Sequence, residues 1–327
     1  MFGGKLAGIF FTDTIPVLNE SSCLNRRNRF EPCCLCRKAC NYAALTIEAG
    51  FPVIDEKKCI SCGLCASVCP SEALRLKDYQ IFRRLSGDDE LKCIKSGGIY
   101  CLKALSPALI ASIIVMKPDI TFVMPCSNCE LEGKNSHDNL VTAVKFLDAL
   151  GVNHNVRIIR DENFESELSR RELMSMLFMR GKNRAGSILE DVIWSSKGDT
   201  FFARRFLADN LVGVQGSIEA GIFYDFAVSD ECNACGVCGG ICPSGAWELS
   251  KADGKAELKF DTVKCTGCML CVKTCPEKAI AMREKFSWPH DIETKRGFDM
   301  LRCRHCGRWF IQSSPKQELC SSCSGRK

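Results

Sequence analysis

Two stretches of this sequence decide its fold: CNACGVCGGICP at residues 232–243 and CTGCMLCVKTCP at residues 265–276. In each stretch, two residues separate each of the first three cysteines from the next. A fourth cysteine follows after three more residues and precedes a proline. Three thiolates two residues apart can wrap around one inorganic centre, so this spacing is typical of metal ligands rather than of disulfide partners. The chain has 25 cysteines in 327 residues, and nearly all of them fall into ligand-type spacings.

The pattern C-x2-C-x2-C-x3-C-P, written twice, resembles the two-cluster bacterial ferredoxins. In that family the fourth cysteine of each run binds the other cluster, and the resemblance implies two [4Fe-4S] clusters and one-electron transfer. The first predicted set, site C, comprises Cys232, Cys235, Cys238 and Cys275. The second set, site D, comprises Cys265, Cys268, Cys271 and Cys242.

The motif occurs again at residues 57–74, KKCISCGLCASVCPSEAL, and predicts a second ferredoxin-like domain. Glycines such as Gly63 and Gly236, which directly follow the second cysteine of a motif, let the backbone approach the cluster closely. The proline after the fourth cysteine predicts a short helix in both halves, at residues 70–74 and 276–280.

The upstream copy, CCLCRKACN at residues 33–41, is degenerate. Phe30 occupies its first ligand position, and Asn41 replaces the proline. Cys23 is the nearest spare cysteine, so we expect it to supply the ligand through a longer loop. The alternatives are substitution by Cys34, which is otherwise a buried bystander, or an incomplete cluster. Site A then comprises Cys23, Cys33, Cys36 and Cys69. Site B comprises Cys59, Cys62, Cys65 and Cys40.

Between these domains, cysteines become sparse and apolar stretches alternate, which predicts a βαβαβ unit. The predicted strands are residues 91–94, 120–124 and 156–159, and the predicted helices are residues 102–116 and 141–150. Sites in open parallel sheets form beyond the carboxyl ends of strands. We therefore expect a middle site of Cys93, Cys101, Cys126 and Cys129.

We interpret this middle site as an additional iron–sulfur centre of [2Fe-2S] type. A zinc site and plain buried cysteines are the alternatives. The segments YCLKALSP and CSNCELEG resemble the small delta subunit of methanogen-type hydrogenases.

The end of the chain, LRCRHCGRWFIQSSPKQELCSSCSGRK, has the spacing C-x2-C-x13-C-x2-C of a zinc ribbon with a closed structural site. This terminal site comprises Cys303, Cys306, Cys320 and Cys323. A rubredoxin-like iron site is the alternative.

Upstream of the second ferredoxin motif, between residues 164 and 214, apolar residues at helical spacing predict amphipathic helices.

The formal net charge of +5 counts every cysteine as neutral. Six occupied sites, each about −2 with its thiolates, would bring the protein to about −7, so its basic pI is no evidence for nucleic-acid binding. Cysteines grouped in this way on a long chain, and an N-terminus without a basic region before its apolar stretch, indicate a reducing, cytoplasmic setting. Charges and prolines interrupt the most apolar window, residues 102–124, so we expect no membrane span.

We predict an α+β multidomain protein. Two ferredoxin-like 2[4Fe-4S] domains flank a small α/β Cys-rich domain and a helical linker, and a zinc ribbon follows. The predicted boundaries are 1–86 for the first ferredoxin-like domain, 87–165 for the α/β domain, 166–224 for the linker, 225–285 for the second ferredoxin domain and 296–327 for the ribbon. The predicted cofactors are four [4Fe-4S] clusters, a fifth centre of [2Fe-2S] type and Zn²⁺.

The sequence contains no dinucleotide fingerprint, no P-loop and no histidine paired with a nucleophile, so we assign no catalytic residue. We predict a polyferredoxin-type electron-transfer protein or subunit that relays low-potential electrons between a donor and a cytoplasmic oxidoreductase. Its expected partners are redox proteins of dehydrogenase or hydrogenase type. The alternatives are a redox enzyme subunit with chemistry at the middle site, and a redox-sensing regulatory protein that uses the zinc ribbon.

Overall fold

Short strands and one-turn helices build both ends of this protein, and longer helices lie between them. The computed structural model describes residues 15–26, 32–60, 62–75, 90–92, 102–123, 136–159, 201–288, 292–312 and 317–324. Within these ranges no helix has the length and apolar character needed to cross a bilayer.

The first cysteine-rich domain holds two one-turn helices between short antiparallel strands. Its elements are β1 (Val17–Leu18), α1 (Leu35–Lys38), β2 (Leu45–Glu48), β3 (Phe51–Ile54), α2 (Leu64–Ser67) and β4 (Leu74–Arg75). Strand β1 pairs with β4, and β2 forms a hairpin with β3. The first and last strands therefore close the domain around a small core of Leu45, Ala66, Leu74 and Cys36.

A three-stranded parallel sheet forms the middle domain, in the order of elements predicted from the sequence. Its elements are β5 (Glu90–Lys92), α3 (Pro107–Met116), β6 (Thr121–Val123), α4 (Ser136–Ala149) and β7 (Arg157–Ile159). Lys92 pairs with Val123, and Val123 pairs with Ile159, so the three carboxyl ends lie at one edge. The predicted βαβαβ unit is confirmed.

Residues 201–223 join the core of this middle domain. They form α5 (Phe202–Asn210) and β8 (Gly216–Glu219), and Leu207, Leu211 and Ile218 are buried there. The segment predicted as a helical linker, 166–224, is therefore helical at α5 but extended at β8, because Ile218 pairs with Phe286 of a later strand. Residues 160–200 lie outside the described part of the chain.

The second cysteine-rich domain repeats the topology of the first. Its elements are β9 (Asp225–Val228), α6 (Val237–Ile241), β10 (Trp247–Ala252), β11 (Lys255–Phe260), α7 (Leu270–Thr274) and β12 (Ile280–Arg283). Strand β9 pairs with β12, and β10 with β11. Phe226, Trp247 and Phe260 pack with ring centroids 4.5 to 6.1 Å apart, which gives this copy an aromatic core.

The helix predicted after each proline is absent from the described residues 70–75 and 276–283; a single turn followed by a strand takes its place. Three positions after the fourth cysteine, Glu72 and Lys278 both adopt a left-handed φ of 51°. Their N–H groups donate to the carbonyls of Cys69 and Cys275, at 3.1 and 3.2 Å. Because a left-handed residue cannot continue a right-handed helix, the chain leaves the turn as β4 or β12.

The C-terminal segment extends the hairpin of the second cysteine-rich domain. Its elements are β13 (Lys285–Trp288), β14 (Glu293–Arg302), β15 (Trp309–Ile311) and α8 (Ser321–Ser324). Strand β13 pairs with β8, and one sheet has the order β10-β11-β14-β15. Fully buried Asp225 accepts from Arg283 at 3.1 Å and from Lys295 of β14 at 2.6 Å. An ion-pair network thus joins β14 to the second domain.

Candidate iron–sulfur and metal sites

The degenerate motif folds like the intact ones at its fourth cysteine. Ala43, three residues after Cys40, adopts a left-handed φ of 48° and donates its N–H to the Cys40 carbonyl at 3.4 Å. The corresponding residues of the intact motifs are Glu72, Gly245 and Lys278, with φ of 51°, 68° and 51°. A left-handed conformation costs a non-glycine residue about 1–2 kcal/mol. The same turn therefore forms although Asn41 replaces the proline.

In the three intact motifs, the same turn directs a backbone N–H at the sulfur of the fourth cysteine. The donor–sulfur pairs are Ala73–Cys69 at 3.2 Å, Ala246–Cys242 at 3.2 Å and Ala279–Cys275 at 3.3 Å. Such hydrogen bonds favour the thiolate form, and at an iron–sulfur ligand they help to set the reduction potential.

The residue after the second cysteine needs a left-handed backbone more than it needs a small side chain. Gly63 and Gly236 both have φ of 75°, and Met269 holds the equivalent position with φ of 61°. Close approach occurs instead at Gly267, where an added Cβ would lie 2.5 Å from the Tyr224 ring. The close approach of the backbone to a cluster at Gly63 and Gly236 stays a prediction, whereas the close contact at Gly267 is with a side chain of the protein itself.

Site A gathers around Cys36. Burial, followed by the neighbouring thiols of Cys69 and Cys33, raises the pKa of Cys36 to about 11, and Cys23 contributes in the same direction. Cys69 belongs to the downstream motif, so cysteines of both motifs lie near Cys36, as the predicted exchange requires. Cys34 directly precedes α1 beside this set and makes no side-chain capping hydrogen bond. It is half-buried, so the expectation of a buried bystander is wrong in its burial.

Asn25 anchors the loop that leads from Cys23 to Cys33, and sequence reasoning did not identify it. Its side-chain amide donates to the carbonyls of Cys33 and Gly50 at 3.0 and 2.7 Å, and its Oδ1 accepts from the Cys33 N–H at 2.6 Å. Burial raises the pKa of Cys23, and a hydrogen bond from the Asn25 backbone opposes that rise. The one sequence feature that could have pointed to Asn25 is its position two residues after Cys23.

Sites B and C each enclose a cavity lined by all four of their cysteines. The cavities measure ≈ 380 Å³ at site B and ≈ 350 Å³ at site C, their open mouths included. Apolar side chains such as Leu45 and Leu258 complete the walls. Four thiols around an apolar space suit the all-thiolate ligation of an iron–sulfur cluster.

At site D, three of the four cysteines are buried. Burial raises the pKa of Cys271 to about 12, a hydrogen bond from Trp247 opposes this rise, and the thiols of Cys268 and Cys242 add to it. Burial likewise raises the pKa of Cys265. Because ligating cysteines are thiolates, binding here would release protons.

The terminal site has a tighter geometry. The Sγ atoms of its four cysteines all lie within 4.8 Å of one another, and those of Cys306 and Cys320 are 3.7 Å apart. Thiolates that bind zinc tetrahedrally at about 2.3 Å are about 3.8 Å apart, so this set suits a single ion. Hydrogen bonds from backbone N–H groups, that of Cys320 first, lower the pKa of Cys303 to about 6.

The cysteines of the middle site, Cys93, Cys101, Cys126 and Cys129, lie outside the described residues. In the sequence, one of these cysteines directly follows the last residue of a strand. Cys93 directly follows Lys92, whose register partner Val123 ends β6. The site therefore stays a prediction.

Family comparisons locate the iron–sulfur motifs in both cysteine-rich domains. Residues 52–75 match the 4Fe-4S binding domain, and residues 231–279 and 264–309 match the 4Fe-4S dicluster domain. Two uncharacterized ferredoxins from Methanocaldococcus jannaschii are similar in sequence. One is 28% identical over 109 residues, which are 33% of this chain and 63% of that relative. The other is 37% identical over 43 residues, which are 13% of this chain and 28% of that relative. The chain thus spans less than two thirds of either relative. Its two cysteine-rich regions are ferredoxin-type 4Fe-4S domains.

Proposed function

We propose that this chain is a polyferredoxin-type electron-transfer protein or subunit. It relays low-potential electrons between a donor and an oxidoreductase of the cytoplasm, where thiols stay reduced. Four [4Fe-4S] clusters at sites A to D would each accept and release one electron, and no bond would be made or broken in the transfer. The observation that supports this proposal is that one cavity is lined by Cys59, Cys62, Cys65 and Cys40 of the first domain, and another by Cys232, Cys235, Cys238 and Cys275 of the second.

The protein's own residues hold and tune these sites. Thiolates supply the ligands, apolar walls exclude water, and the N–H groups of Ala73, Ala246 and Ala279 direct positive dipoles at three of the sulfurs. Burial and hydrogen bonds to sulfur are the levers that set cluster potentials.

We also propose that the terminal site binds Zn²⁺ as a structural ion. The 3.7 Å separation of two of its sulfurs supports this ion, since it matches the edge of a zinc tetrahedron of about 3.8 Å. Zinc has no redox chemistry, so the ribbon would stabilise the extended sheet and lie outside the electron path.

At the middle site we propose a [2Fe-2S] centre, based on the shared edge of β5 and β6. The measurement is the iron content of Cys126→Ala beside wild type after anaerobic reconstitution. We expect the variant to hold about two irons fewer. Equal iron contents would remove this centre from the proposal.

The main test is anaerobic reconstitution of the full chain, followed by iron, sulfide and zinc counting and EPR of the reduced protein. We expect about sixteen irons from sites A to D and about one zinc per chain. Cys238→Ser should lose about one cluster, whereas Cys34→Ser, outside the four sets, should lose none. Fewer than about twelve irons in the wild-type chain would contradict the four-cluster function.

A further inference from the structure

Arg204 is a buried arginine that bridges the two ferredoxin-type domains. Its side chain is only 5% exposed. One end of the guanidinium donates to the Pro70 carbonyl at 2.9 Å, and the other donates to the Cys265 carbonyl. Pro70 directly follows Cys69 of site A, and Cys265 belongs to site D. The two acceptors are therefore backbone groups at cluster-binding turns of different domains.

The middle domain holds the backbone of Arg204 in place. Arg204 lies in the first turn of α5, and Leu207 and Leu211 of this segment are buried in the middle-domain core. The Ser112 hydroxyl of α3 donates to the Ala203 carbonyl at 3.1 Å. The guanidinium also lies over the Phe201 ring, 4.5 Å from its centroid. Because both backbone and side chain are packed, the two carbonyl contacts are held at a fixed separation.

Charge and proximity connect sites A and D at this junction. Burial lowers the pKa of Arg204, and the charges of Glu72 in the first domain and Asp261 in the second oppose this shift. Burial is the main cause that raises the pKa of Cys33. The thiol of Cys268, in the other domain, is among those that add to this rise. Two loaded clusters of about −2 each would repel here, and a buried guanidinium between their binding turns offsets that repulsion.

We propose that Arg204 is a positioning residue that clasps the two ferredoxin-type domains, so that sites A and D adjoin and the sites form one path in the order B, A, D, C. The proposal rests on the electron-transfer function. In the step concerned, one electron passes between neighbouring clusters, so that one is oxidised while the other is reduced, with no proton or atom transferred. Arg204 holds sites A and D next to each other and adds a permanent positive charge between their binding turns.

The test compares Arg204→Gln, Arg204→Lys and the control Arg205→Gln, an exposed neighbour on the same helix, in the full reconstituted chain. Hydrogen exchange is measured by mass spectrometry over residues 70–75 and 262–268. We expect Arg204→Gln to speed exchange at least tenfold in each of the two segments, whereas Arg205→Gln leaves both unchanged.

A redox titration followed by EPR supplies a second readout, which loosened packing alone does not predict. Loss of the charge should make reduction of two clusters about tenfold less favourable, a shift of about 59 mV to lower potential. Arg204→Lys should keep the potentials but still exchange faster, because an ammonium cannot reproduce the two-armed contact.

The clasp is refuted if Arg204→Gln exchanges like wild type, or if only one of the two segments responds. Potentials that stay unchanged in Arg204→Gln would refute the charge contribution. If Arg204→Gln does not assemble, Arg204→Lys decides the exchange question, since it retains the positive charge. Iron counts of the wild-type chain test the electron-transfer function separately, so either idea can fail without the other.

Discussion

Gly267→Ala should destabilise site D far more than the same change at Gly236 destabilises site C. Both glycines have left-handed φ, 65° and 75°, so both variants incur the backbone cost of about 1–2 kcal/mol. An added Cβ at Gly267 would lie 2.5 to 2.7 Å from three atoms of the Tyr224 ring, whereas at Gly236 its nearest neighbour is at 3.5 Å. Carbon atoms pack at about 3.5–4.0 Å, and overpacking of this kind costs about 1–3 kcal/mol.

The assay is the rate at which the loaded full chain loses its visible cluster absorption at one fixed temperature, because irreversible loss makes stability a rate. A difference of about 1–3 kcal/mol corresponds to bleaching about 5- to 150-fold faster in Gly267→Ala than in Gly236→Ala. Tyr224→Ala supplies a second control. In that background the ring is gone, and Gly267→Ala should retain only its backbone cost.

Equal bleaching rates for the two glycine variants would refute this reasoning. An undiminished effect of Gly267→Ala in the Tyr224→Ala background would also show that contact with the ring is not the cause.

Three further changes test other parts of the structure. Asn25→Ala should cost about 1–3 kcal/mol by leaving the backbone groups of Cys33 unpaired, and should lower the iron count by about four, with the other sites still loaded as the internal control. Asp225→Asn should cost about 3–5 kcal/mol in thermal or denaturant unfolding, because the Lys295 side chain, 3% exposed, loses its fully buried partner. Glu293→Gln should change stability by less than about 1 kcal/mol, because the Glu293 carboxylate is 43% exposed and Lys295 keeps its ion pair with Asp225. Mild chelation should remove about one zinc and speed hydrogen exchange in β15, while the visible cluster absorption persists; bleaching in parallel with zinc loss would contradict a separate structural ion.

Local spacing was enough to predict which cysteines within each motif lie near one another, and the cavities at sites B and C are each lined by the four predicted cysteines. Each motif folds its own turn, so the distance between ligands along the chain translates directly into distance in space. The exchange of the fourth cysteine came from the family resemblance, and Cys69 beside Cys36 agrees with it. The periodicity of apolar residues was similarly sufficient for the parallel sheet of the middle domain.

Two kinds of feature escaped prediction for physical reasons. The turn after the fourth cysteine was misread as a helix, because Glu72 and Lys278 carry no sequence sign of a left-handed backbone, and only Gly245 of this set does. The contacts of Arg204 join it to Pro70 and Cys265, 134 and 61 residues away along the chain. No local pattern encodes a side chain that completes its hydrogen bonds across two other domains.

The two ferredoxin-type domains share a topology but differ in what stabilises them. In the described residues, the second domain adds an aromatic core, a buried ion-pair network at Asp225 and two extra strands to its hairpin. The first has a core of small and aliphatic residues around Leu45 and Leu74. Small domains with little core depend on bound metal for their folding free energy, since metal binding and folding are coupled. We therefore expect cluster binding to contribute the larger share of the folding free energy in the first domain, where the side chain of Asn25 also holds the backbone of Cys33.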